Sequence, residues 1–350
     1  MKYHILTQRA IEDMNLLGRL HCPFLFLIDF EMHRPLVLPI HELPDEIQFN
    51  FNGVGKESSH HHNKSISDFS LKKFPISKEE YTAGFNIVMD SIHKGDSFLT
   101  NLTFPTRIES SLSMDEIYLF SEAKYKLKFF NEWMVFSPEP FIKIDDGMIS
   151  TFPMKGTIDA SIPSATEIIL NDRKEMAEHN TVVDLLRNDL SKVARKVHVS
   201  HHRYIDRINT HKKEILQVSS AIRGSVKDYY RDHLGELLLT LLPAGSISGA
   251  PKEKTCQIIR NAEGQPRGYY TGIAAYYDGY NVDSCVLIRY IENKNDHLIA
   301  RSGGGITFMS NLDAEYQEMI DKVYVPINRN HQDCQQESDE YQVAQSTMPS

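Results

Sequence analysis

The sequence of 350 residues predicts an α+β fold built on antiparallel sheets, and three observations carry that prediction. Short apolar runs typical of strands cluster near the beginning and the end of the chain, and helical patterns lie between them. Strands and helices do not alternate regularly, as a parallel sheet would require. No long Ser/Pro linker divides the chain, so we expect one structural unit. Its parts are N-terminal strands and a loop (1–74), the main domain (75–328) and a disordered tail (329–350).

Strands are predicted where short apolar runs are bounded by turn residues. In the N-terminal half these runs are 24–30, 34–40, 97–108 and 132–144. Ser77, followed three residues later by a glutamate, matches a capping box and predicts a helix over 77–95 that Gly95 ends. The polar stretch 51–65 predicts a loop. Its adjacent histidines His60–His62 point in different directions and so do not favour a metal site.

The C-terminal half predicts helices and further strands from the same kinds of pattern. Apolar spacing predicts a long helix within 164–197, a helix in 233–245 that ends at Pro243, and a closing helix over 312–327. Apolar runs rich in β-branched and aromatic residues predict adjacent antiparallel strands over 268–279, 283–292 and 297–308.

Composition limits the classes of function that the chain can have. Hydrophobic residues make up 41% and charged residues 24%, as in ordinary globular proteins. The net charge of −9 argues against a nucleic-acid binder, which needs a basic face. No apolar run reaches membrane-spanning length, and the first residues lack a signal-peptide core. Four scattered cysteines, without a CxxC pair, indicate reduced thiols in a cytoplasmic protein: Cys22, Cys256, Cys285 and Cys334.

Two of the predicted helices each carry a pair of glutamates. Glu175 and Glu178 in one helix, and Glu315 and Glu318 in the other, are spaced i, i+3, so each pair projects from one helix face. If the two helices face each other, four carboxylates surround a site for a hard cation such as Mg²⁺. Two solvated helix faces would show the same pattern, so the spacing alone leaves both interpretations open.

Glycine-rich loops indicate a small anionic ligand. Gly303–Gly305 end a predicted strand and can expose several N–H donors to a carboxylate or a phosphate. The loop "PAGSISGAPK" (243–252) adds donors but lacks the spacing of a nucleotide-binding P-loop. Its candidate donors are Ser246, Ser248 and Gly249.

Three further side chains are candidates for the same site. Arg289 lies in a run of strand residues and needs an anionic partner, which is either a ligand carboxylate or a protein acid. Tyr270 can add a phenolic hydroxyl. Lys155, in "TFPMKGTIDA", stands between a proline-led tripeptide and a Gly-Thr pair. Local sequence alone does not decide whether Lys155 is a surface charge on a turn or a reactive amine.

Taken together, these motifs resemble those of the chorismate-utilising enzymes. The family includes anthranilate synthase component I, aminodeoxychorismate synthase component I, and the isochorismate and salicylate synthases. The resemblance covers roughly residues 75–327 and implies antiparallel sheets packed as a sandwich with surrounding helices. The motifs that carry it, in family order, are "SPEPF", "PMKGT", "AEHNTVVDLLRNDLSKVA", "PAGSISGAPK", "RGYYTG", "LIRYI", "GGGI" and "DAEYQE".

Lys155 distinguishes between members of this family. Anthranilate synthases typically have alanine at this position, and the lysine version resembles aminodeoxychorismate synthase component I, which aminates chorismate on the route to p-aminobenzoate and folate. The resemblance implies that Lys155 attacks C2 of chorismate as the C4 hydroxyl leaves, and that ammonia then adds at C4 and expels the lysine. An amine must be unprotonated to attack, which burial or nearby positive charge favours.

The resemblance also assigns the remaining site residues. Glu139 of "SPEPF" is implied as the general acid for the C4 hydroxyl. Glu178 and Glu318 are implied as direct Mg²⁺ ligands, with Glu175 and Glu315 acting through water. The implied contacts to the substrate carboxylates are Ser248, Gly249, Tyr270, Arg289, Gly303, Gly304 and Gly305.

Departures from the family pattern bear on the choice of reaction. Gln217 stands where relatives often have a histidine that anthranilate synthase ties to pyruvate elimination. Leu99 stands where relatives have a glutamine, or the water-activating lysine of the isochorismate synthases. The N-terminal part is short, so feedback by tryptophan is not expected. Three alternatives stay open: an anthranilate synthase component I, an isochorismate or salicylate synthase, and a non-catalytic metal- or anion-binding subunit.

The source of ammonia is expected outside this chain. No glutaminase signature is present, because neither a cysteine-centred nucleophile elbow nor its His/Glu partners are found. We therefore expect a separate glutamine amidotransferase subunit as the partner.

Overall fold

The computed structural model describes residues 2–57, 69–209 and 214–327. The histidines His60–His62, most of the loop predicted over 51–65, and the tail expected over 329–350 lie outside these ranges. Within the described residues the chain forms two antiparallel sheets of nine strands each, with ten α-helices around them. The predicted α+β class is therefore confirmed. No helix of the described part is long and apolar enough to cross a membrane.

The helices and strands are numbered in chain order. The helices are α1 Lys2–Arg19, α2 Lys78–His93, α3 Met114–Phe120, α4 Ala165–Asn171, α5 Arg173–Val193, α6 Asp228–Arg231, α7 Leu234–Leu241, α8 Gly245–Ser248, α9 Lys252–Glu263 and α10 Leu312–Asp321. The strands are β1 Phe24–Ile28, β2 Leu36–Pro39, β3 Ile47–Phe51, β4 Val54–Lys56, β5 Leu71–Pro75, β6 Leu99–Ser110, β7 Tyr125–Phe129, β8 Trp133–Ser137, β9 Pro140–Asp145, β10 Met148–Thr151, β11 Met154–Asp159, β12 Ala194–Asn209, β13 Glu214–Val226, β14 Gly249–Ala250, β15 Ile273–Tyr277, β16 Val282–Val286, β17 Tyr290–Lys294 and β18 His297–Ile306.

The two sheets pack face to face. The first sheet has the order β11-β13-β10-β9-β16-β15-β1-β2, with β12 beside β13, and the second has the order β14-β6-β18-β17-β8-β7-β3-β4, with β5 beside β6. Leu25 and Leu27 of the first sheet pack against Phe49, Trp133 and Val135 of the second in one buried cluster. This shared apolar layer confirms the sandwich that the family resemblance implied.

Helices cover the outer face of each sheet. Helices α5 and α7 pack Leu186 and Leu237 against Phe26 of the first sheet. Helices α2 and α10 pack Tyr81 and Met319 against β6 of the second sheet. Each sheet is therefore buried on both faces, which explains why strands such as β1 and β8 are continuous apolar runs rather than alternating ones.

Two of the predicted strands are each divided between the two sheets. The run 132–144 forms β8 in the second sheet and β9 in the first, because prolines at 138 and 140 interrupt the hydrogen-bond ladder. The run 283–292 forms β16 in the first sheet and β17 in the second, and Arg289 adopts φ +54° between them. The expectation that 268–279, 283–292 and 297–308 are all neighbours in one sheet is therefore wrong. Arg289 lies at a crossing and not within a strand.

Other elements differ from the prediction at their ends. The long helix predicted within 164–197 is confirmed as α5, and Asp172, whose side chain accepts from the Glu175 N–H, caps it and separates it from the short α4. Helix α10 ends at Asp321, and the buried extended segment after it packs Val323 and Val325 into a separate core cluster. The helix predicted over 77–95 is confirmed, with Ser77 accepting from the Glu80 N–H. Helix α1 and most of the long β12–β13 hairpin were not predicted.

Candidate active site

The two crossings between the sheets lie side by side, and they carry Glu139 and Arg289. Val286 N–H donates to the Glu139 carbonyl at 3.1 Å, and Phe136 N–H donates to the Arg289 carbonyl at 3.1 Å. These two backbone bonds hold both crossings at one end of the sandwich. The arrangement follows from the prolines around Glu139 and from the left-handed backbone of Arg289.

Glu139 is enclosed in this region. Its side chain keeps some accessible surface but is surrounded by protein, and burial raises the pKa of its carboxyl group. The Ser246 hydroxyl donates to Oε1 at 2.5 Å and lowers the pKa, as do the positive charges of Lys155, Lys322 and Arg289. Burial outweighs these contributions, which suits a group that holds a proton before donating it.

Lys155 lies in β11 and its amine faces the glycine-rich strand rather than bulk solvent. The strand is bulged between Lys155 and Thr157, where Gly156 adopts φ +77°. A β-carbon at Gly305 would stand 3.2 Å from Lys155 Nζ and 2.9 Å from Leu99 Cδ1. The absence of that carbon therefore leaves the space that the amine and the leucine methyl share. Of the two interpretations of Lys155, the structure favours the positioned amine.

The glycine-rich strand β18 has an open edge at this site. Strand β17 begins at Tyr290, which pairs with Arg301, so within the described part of the chain the residues of β18 after Ser302 pair with β6 only. The Gly303 carbonyl accepts from Lys322 Nζ at 3.0 Å on the side away from β6. Since backbone groups two residues apart point to the same side of a strand, Gly305 also turns its N–H to the open edge. This edge can donate to an anionic ligand.

Arg289 is available to an anion. Its Nη1 donates to the Lys322 carbonyl at 2.8 Å, and its guanidinium lies 4.7 Å from the centre of the Tyr324 ring. Its Nε is buried without a hydrogen-bond partner, and no carboxylate pairs with Arg289 within the described residues. Within the described residues, Arg289 is therefore not neutralised by an acidic side chain of the protein. A planar carboxylate suits such a group.

The predicted carboxylates are only partly brought together. A β-carbon at Gly304 would stand 3.3 Å from Glu315 Oε2 and 3.4 Å from Glu318 Oε1, so these two groups surround one small space. Glu178 is buried, whereas Glu175 Oε2 lies 3.0 Å from the position of a β-carbon on Gly156. Across residues 2–57, 69–209 and 214–327, no three His, Cys, Asp or Glu side chains form a group that could hold a metal ion.

This donor set still fits Mg²⁺. The ion is usually held by one or two carboxylates, with water and substrate oxygens completing its octahedron. Glu315 and Glu318 bring two such oxygens to one face of β18 at Gly304. Direct ligation by Glu178 and Glu318, and the water-mediated roles of Glu175 and Glu315, stay predictions.

The remaining substrate contacts predicted from the sequence lie in buried positions. Tyr270 is buried, and burial raises the pKa of its hydroxyl to about 12, so the group is a donor at neutral pH. Gly249 adopts φ +121°, and a β-carbon there would stand 1.9 Å from the Leu99 carbonyl, so the backbone requires glycine. The Ser248 hydroxyl donates to the Ala244 carbonyl at 2.9 Å and is used inside the loop. Ser246, not Ser248, directs its hydroxyl into the site.

Lys322 was missed by the sequence analysis. Its amine contacts Glu318 Oε1 at 2.5 Å, and burial lowers the pKa of the amine. Lys155 and Arg289 lower it further, which shows that three cationic side chains lie within electrostatic reach of one another. The i, i+4 spacing of Glu318 and Lys322 was a readable signal, but such pairs are common on exposed helices.

The two departures from the family pattern occupy different places. Leu99 is buried and its methyl group stands beside the Lys155 amine at Gly305. Gln217 lies in β13 opposite Thr157 of β11 and Asp206 of β12. The site thus combines an amine, a carboxyl group whose pKa is raised by burial, and a cluster of cations facing an open strand edge. Such a site can bind a small carboxylate, attack one carbon and protonate a leaving group.

Comparison with known proteins identifies the family of the chain. The family model described as "chorismate binding enzyme" matches residues 39–328. A protein of Pasteurella multocida named "uncharacterized PabA-like protein" is 47% identical over 328 residues, covering 93% of this chain and 100% of its own. A protein of the same description from Haemophilus influenzae is 46% identical over 324 residues, covering 91% and 97%.

A solved structure extends the comparison to three dimensions. Anthranilate synthase component I from Streptococcus pneumoniae superposes with a TM-score of 0.62 at 25% identity, covering 74% of this chain and 59% of its own. The sequence match and the shared fold lead to one conclusion. The chain belongs to the family of chorismate-binding enzymes.

Proposed function

We propose that the protein is an aminodeoxychorismate synthase component I. It would convert chorismate and ammonia to 4-amino-4-deoxychorismate for the synthesis of p-aminobenzoate and folate. One observation carries the proposal above others: the Lys155 amine stands against Gly305, in the site that also holds Glu139 and Arg289. A primary amine at this place can act as a nucleophile, which an alanine cannot.

The proposed reaction proceeds in two balanced steps. In the first, the Lys155 amine, which reacts in its unprotonated form, forms a bond to C2 of chorismate, both ring double bonds shift, and the C4–oxygen bond breaks. The leaving hydroxyl takes a proton from Glu139 and departs as water. In the second step ammonia forms a bond to C4, both double bonds shift back, and the C2–nitrogen bond breaks to release Lys155. The extra proton on the new C4 nitrogen returns to the Glu139 carboxylate, which restores the acid. The sum is chorismate plus ammonia to aminodeoxychorismate plus water.

The surroundings of Glu139 support its role as the acid. Burial raises its pKa and favours the protonated form, while the Ser246 hydroxyl holds Oε1 in a fixed position. Once the proton has left, Lys155, Lys322 and Arg289 stabilise the carboxylate through their charge. Burial thus favours the acid before the transfer, and the three cations favour the carboxylate after it.

We assign substrate binding to the cationic side chains of Arg289 and Lys322 and to the open edge of β18. Arg289 and Lys322 would attract the carboxylates of chorismate, and the N–H groups of Gly303 and Gly305 would orient them, whereas the Gly304 N–H points to β6. Glu178 and Glu318 would hold Mg²⁺ directly, and Glu175 and Glu315 would hold it through water. When bound, the ion would screen the ring carboxylate and withdraw electron density from the diene.

Leu99 supports amination over hydration. Its methyl group occupies the space next to the Lys155 amine, where a polar side chain would be needed to activate water. We therefore rank an isochorismate or salicylate synthase below an aminating enzyme. Anthranilate synthase component I is the second candidate, because a member of that class shares this fold at 25% identity. Lys155 and Gln217 favour the first candidate over it.

Ammonia would come from a separate glutamine amidotransferase subunit, and we propose the cytoplasm as the site of action. Glutamine-dependent activity of the isolated chain would contradict the need for such a subunit.

The identity of the aromatic product tests the proposal. Purified protein is incubated with chorismate, Mg²⁺ and ammonium, an aminodeoxychorismate lyase is added, and products are identified by mass spectrometry. p-Aminobenzoate that depends on the lyase supports the proposal. Anthranilate formed without the lyase would support the second candidate, and isochorismate or salicylate formed without ammonium would support hydration. No turnover under any of these conditions would indicate a non-catalytic binding protein.

A further inference from the structure

Tyr81 is a fully buried side chain beside the carboxylates of α10 for which the proposed reaction has no use. It lies in the first turns of α2, with no exposed surface, in the apolar cluster that contains Phe104 and Met319. Its ring centre is 5.5 Å from that of Phe104 and 5.3 Å from that of Tyr316. Packing alone would be satisfied by phenylalanine at this position.

The hydroxyl of Tyr81 has no hydrogen-bond partner within the described residues. Buried hydroxyls are normally paired, and an exception calls for a physical explanation. The neighbouring Tyr316 shows the usual behaviour, since its hydroxyl donates to the Ile76 carbonyl at 2.8 Å. Tyr81 and Tyr316 belong to one apolar cluster, but within the described residues only the Tyr316 hydroxyl forms a hydrogen bond.

The surroundings of the Tyr81 hydroxyl indicate which partner it can take. Burial raises its pKa, and the negative charges of Glu315 and Glu318 raise it further. Geometry places the ring in the same position, because it packs against Tyr316 and Met319 of α10, the sequence neighbours of the two glutamates. A tyrosine hydroxyl is protonated at neutral pH. The same two carboxylates surround the space left by Gly304. A protonated hydroxyl near carboxylates can donate a hydrogen bond to one of them.

We propose that Tyr81 is a positioning residue of the cation site, whose hydroxyl donates to a carboxylate of the Glu315–Glu318 pair when a divalent cation binds there. Carboxylates that ligate metals are themselves commonly held by hydrogen bonds from surrounding residues, and these bonds orient the ligand. In this proposal the hydroxyl is unpaired before the cation arrives and paired afterwards. The inference rests on the proposed Mg²⁺ site and is independent of which product the enzyme forms.

The test measures cation binding directly, without chorismate. Mn²⁺, which can be followed by electron paramagnetic resonance, is titrated into the wild-type protein and into the Tyr81→Phe variant. We expect Tyr81→Phe to bind Mn²⁺ about tenfold to 100-fold more weakly, as is typical for the loss of such a hydrogen bond. The cation-free variant should melt at the same temperature as the wild type or higher, because an unpaired buried hydroxyl has been removed.

Tyr118→Phe is a matched control. Tyr118 is also buried and lies close to a carboxylate, that of Glu57, but it belongs to a different apolar cluster under α3. Its substitution should leave Mn²⁺ affinity unchanged. A general effect of removing a buried hydroxyl would weaken binding in both variants and would overturn the inference.

Two further results separate this inference from the proposed function. Wild-type affinity for Mn²⁺ in Tyr81→Phe would overturn the role of Tyr81 and leave both the cation site and the amination reaction standing. Absence of Mn²⁺ binding by the wild type would overturn the cation site itself. In either case the product assay still decides the reaction, because it reports on Lys155 and Glu139.

Discussion

Gly305→Ala tests the position of the Lys155 amine with one added carbon. A methyl group there would stand 2.9 Å from Leu99 Cδ1 and 3.2 Å from Lys155 Nζ. Favourable distances between non-bonded carbon atoms are about 3.5–4.0 Å, so the side chains of Leu99 and Lys155 must move away by a few tenths of an ångström or more. Both contacts are with the ends of side chains, so the sheet itself can stay in place.

We expect Gly305→Ala to lower the rate of the reaction and to leave the stability of the fold nearly unchanged. Misplacement of a reacting group by about 1 Å can lower a rate by about 100-fold, so we expect kcat/KM for amination to fall by about tenfold to 100-fold. The assay follows lyase-coupled formation of p-aminobenzoate across chorismate concentrations. Thermal unfolding of the same preparation should show a melting temperature close to that of the wild type.

Two other glycines provide the comparison. Gly18→Ala adds a methyl group in α1 whose nearest neighbour is Leu234 Cβ at 3.8 Å, an ordinary contact, and should change neither activity nor melting. Gly303→Ala would place its methyl 2.0 Å from the Leu102 carbonyl oxygen, a backbone atom, and should unfold the sheet. If Gly305→Ala keeps wild-type kcat/KM and wild-type melting temperature, the Lys155 amine is not the reacting group that we describe.

Other substitutions test the remaining parts of the site. Lys155→Ala should abolish lyase-dependent p-aminobenzoate formation while the protein still binds chorismate, as measured by calorimetry; unimpaired turnover would exclude covalent catalysis. Ser246→Ala removes a bond that lowers the pKa of Glu139, so the alkaline limb of the kcat/KM profile should move to higher pH. Because the fold raises the pKa of Glu139 from its ordinary value of 4.5, this carboxyl group costs stability increasingly as the pH rises above 4.5, where the unfolded chain loses the proton. Glu139→Gln should therefore melt at a higher temperature than the wild type at pH 7, and the gain should vanish near pH 4. Burial lowers the pKa of His179 to about 4 from 6.5, so the stability that its neutral form contributes should be lost between pH 6.5 and 4. This loss should amount to about 3 kcal/mol in urea unfolding and be absent in His179→Gln.

Local patterns predicted those parts of the structure that depend on neighbouring residues. The capped start of α2 follows from a hydroxyl at Ser77 and an N–H three residues later, and it was found as predicted. The run 132–144 was predicted as one strand because its apolar pattern does not reveal which sheet each half joins. The β12–β13 hairpin escaped prediction because its exposed strand is largely polar and bulged.

The candidate site was predicted by residue type more completely than by position. Lys155, Glu139 and Arg289 were named in advance, and the structure places all three in one electrostatic neighbourhood. Ser246 was named only as a loop donor, and Lys322 was not named. Their roles depend on contacts with Glu139 and Gly303, which lie far away along the chain.

The sequence by itself determined the fold class, the family and the chemical groups that the site contains. Hydrophobic periodicity and ordered motifs express these properties over short stretches. Only the tertiary structure decided that Glu139 and Arg289 meet at paired crossings between the sheets, and that the Lys155 amine occupies the space left by Gly305. It also decided that Glu315 and Glu318 surround Gly304 while Glu175 lies beside Gly156. The physical reason is that distances between side chains on distant elements are set by how two sheets pack, which no local pattern encodes.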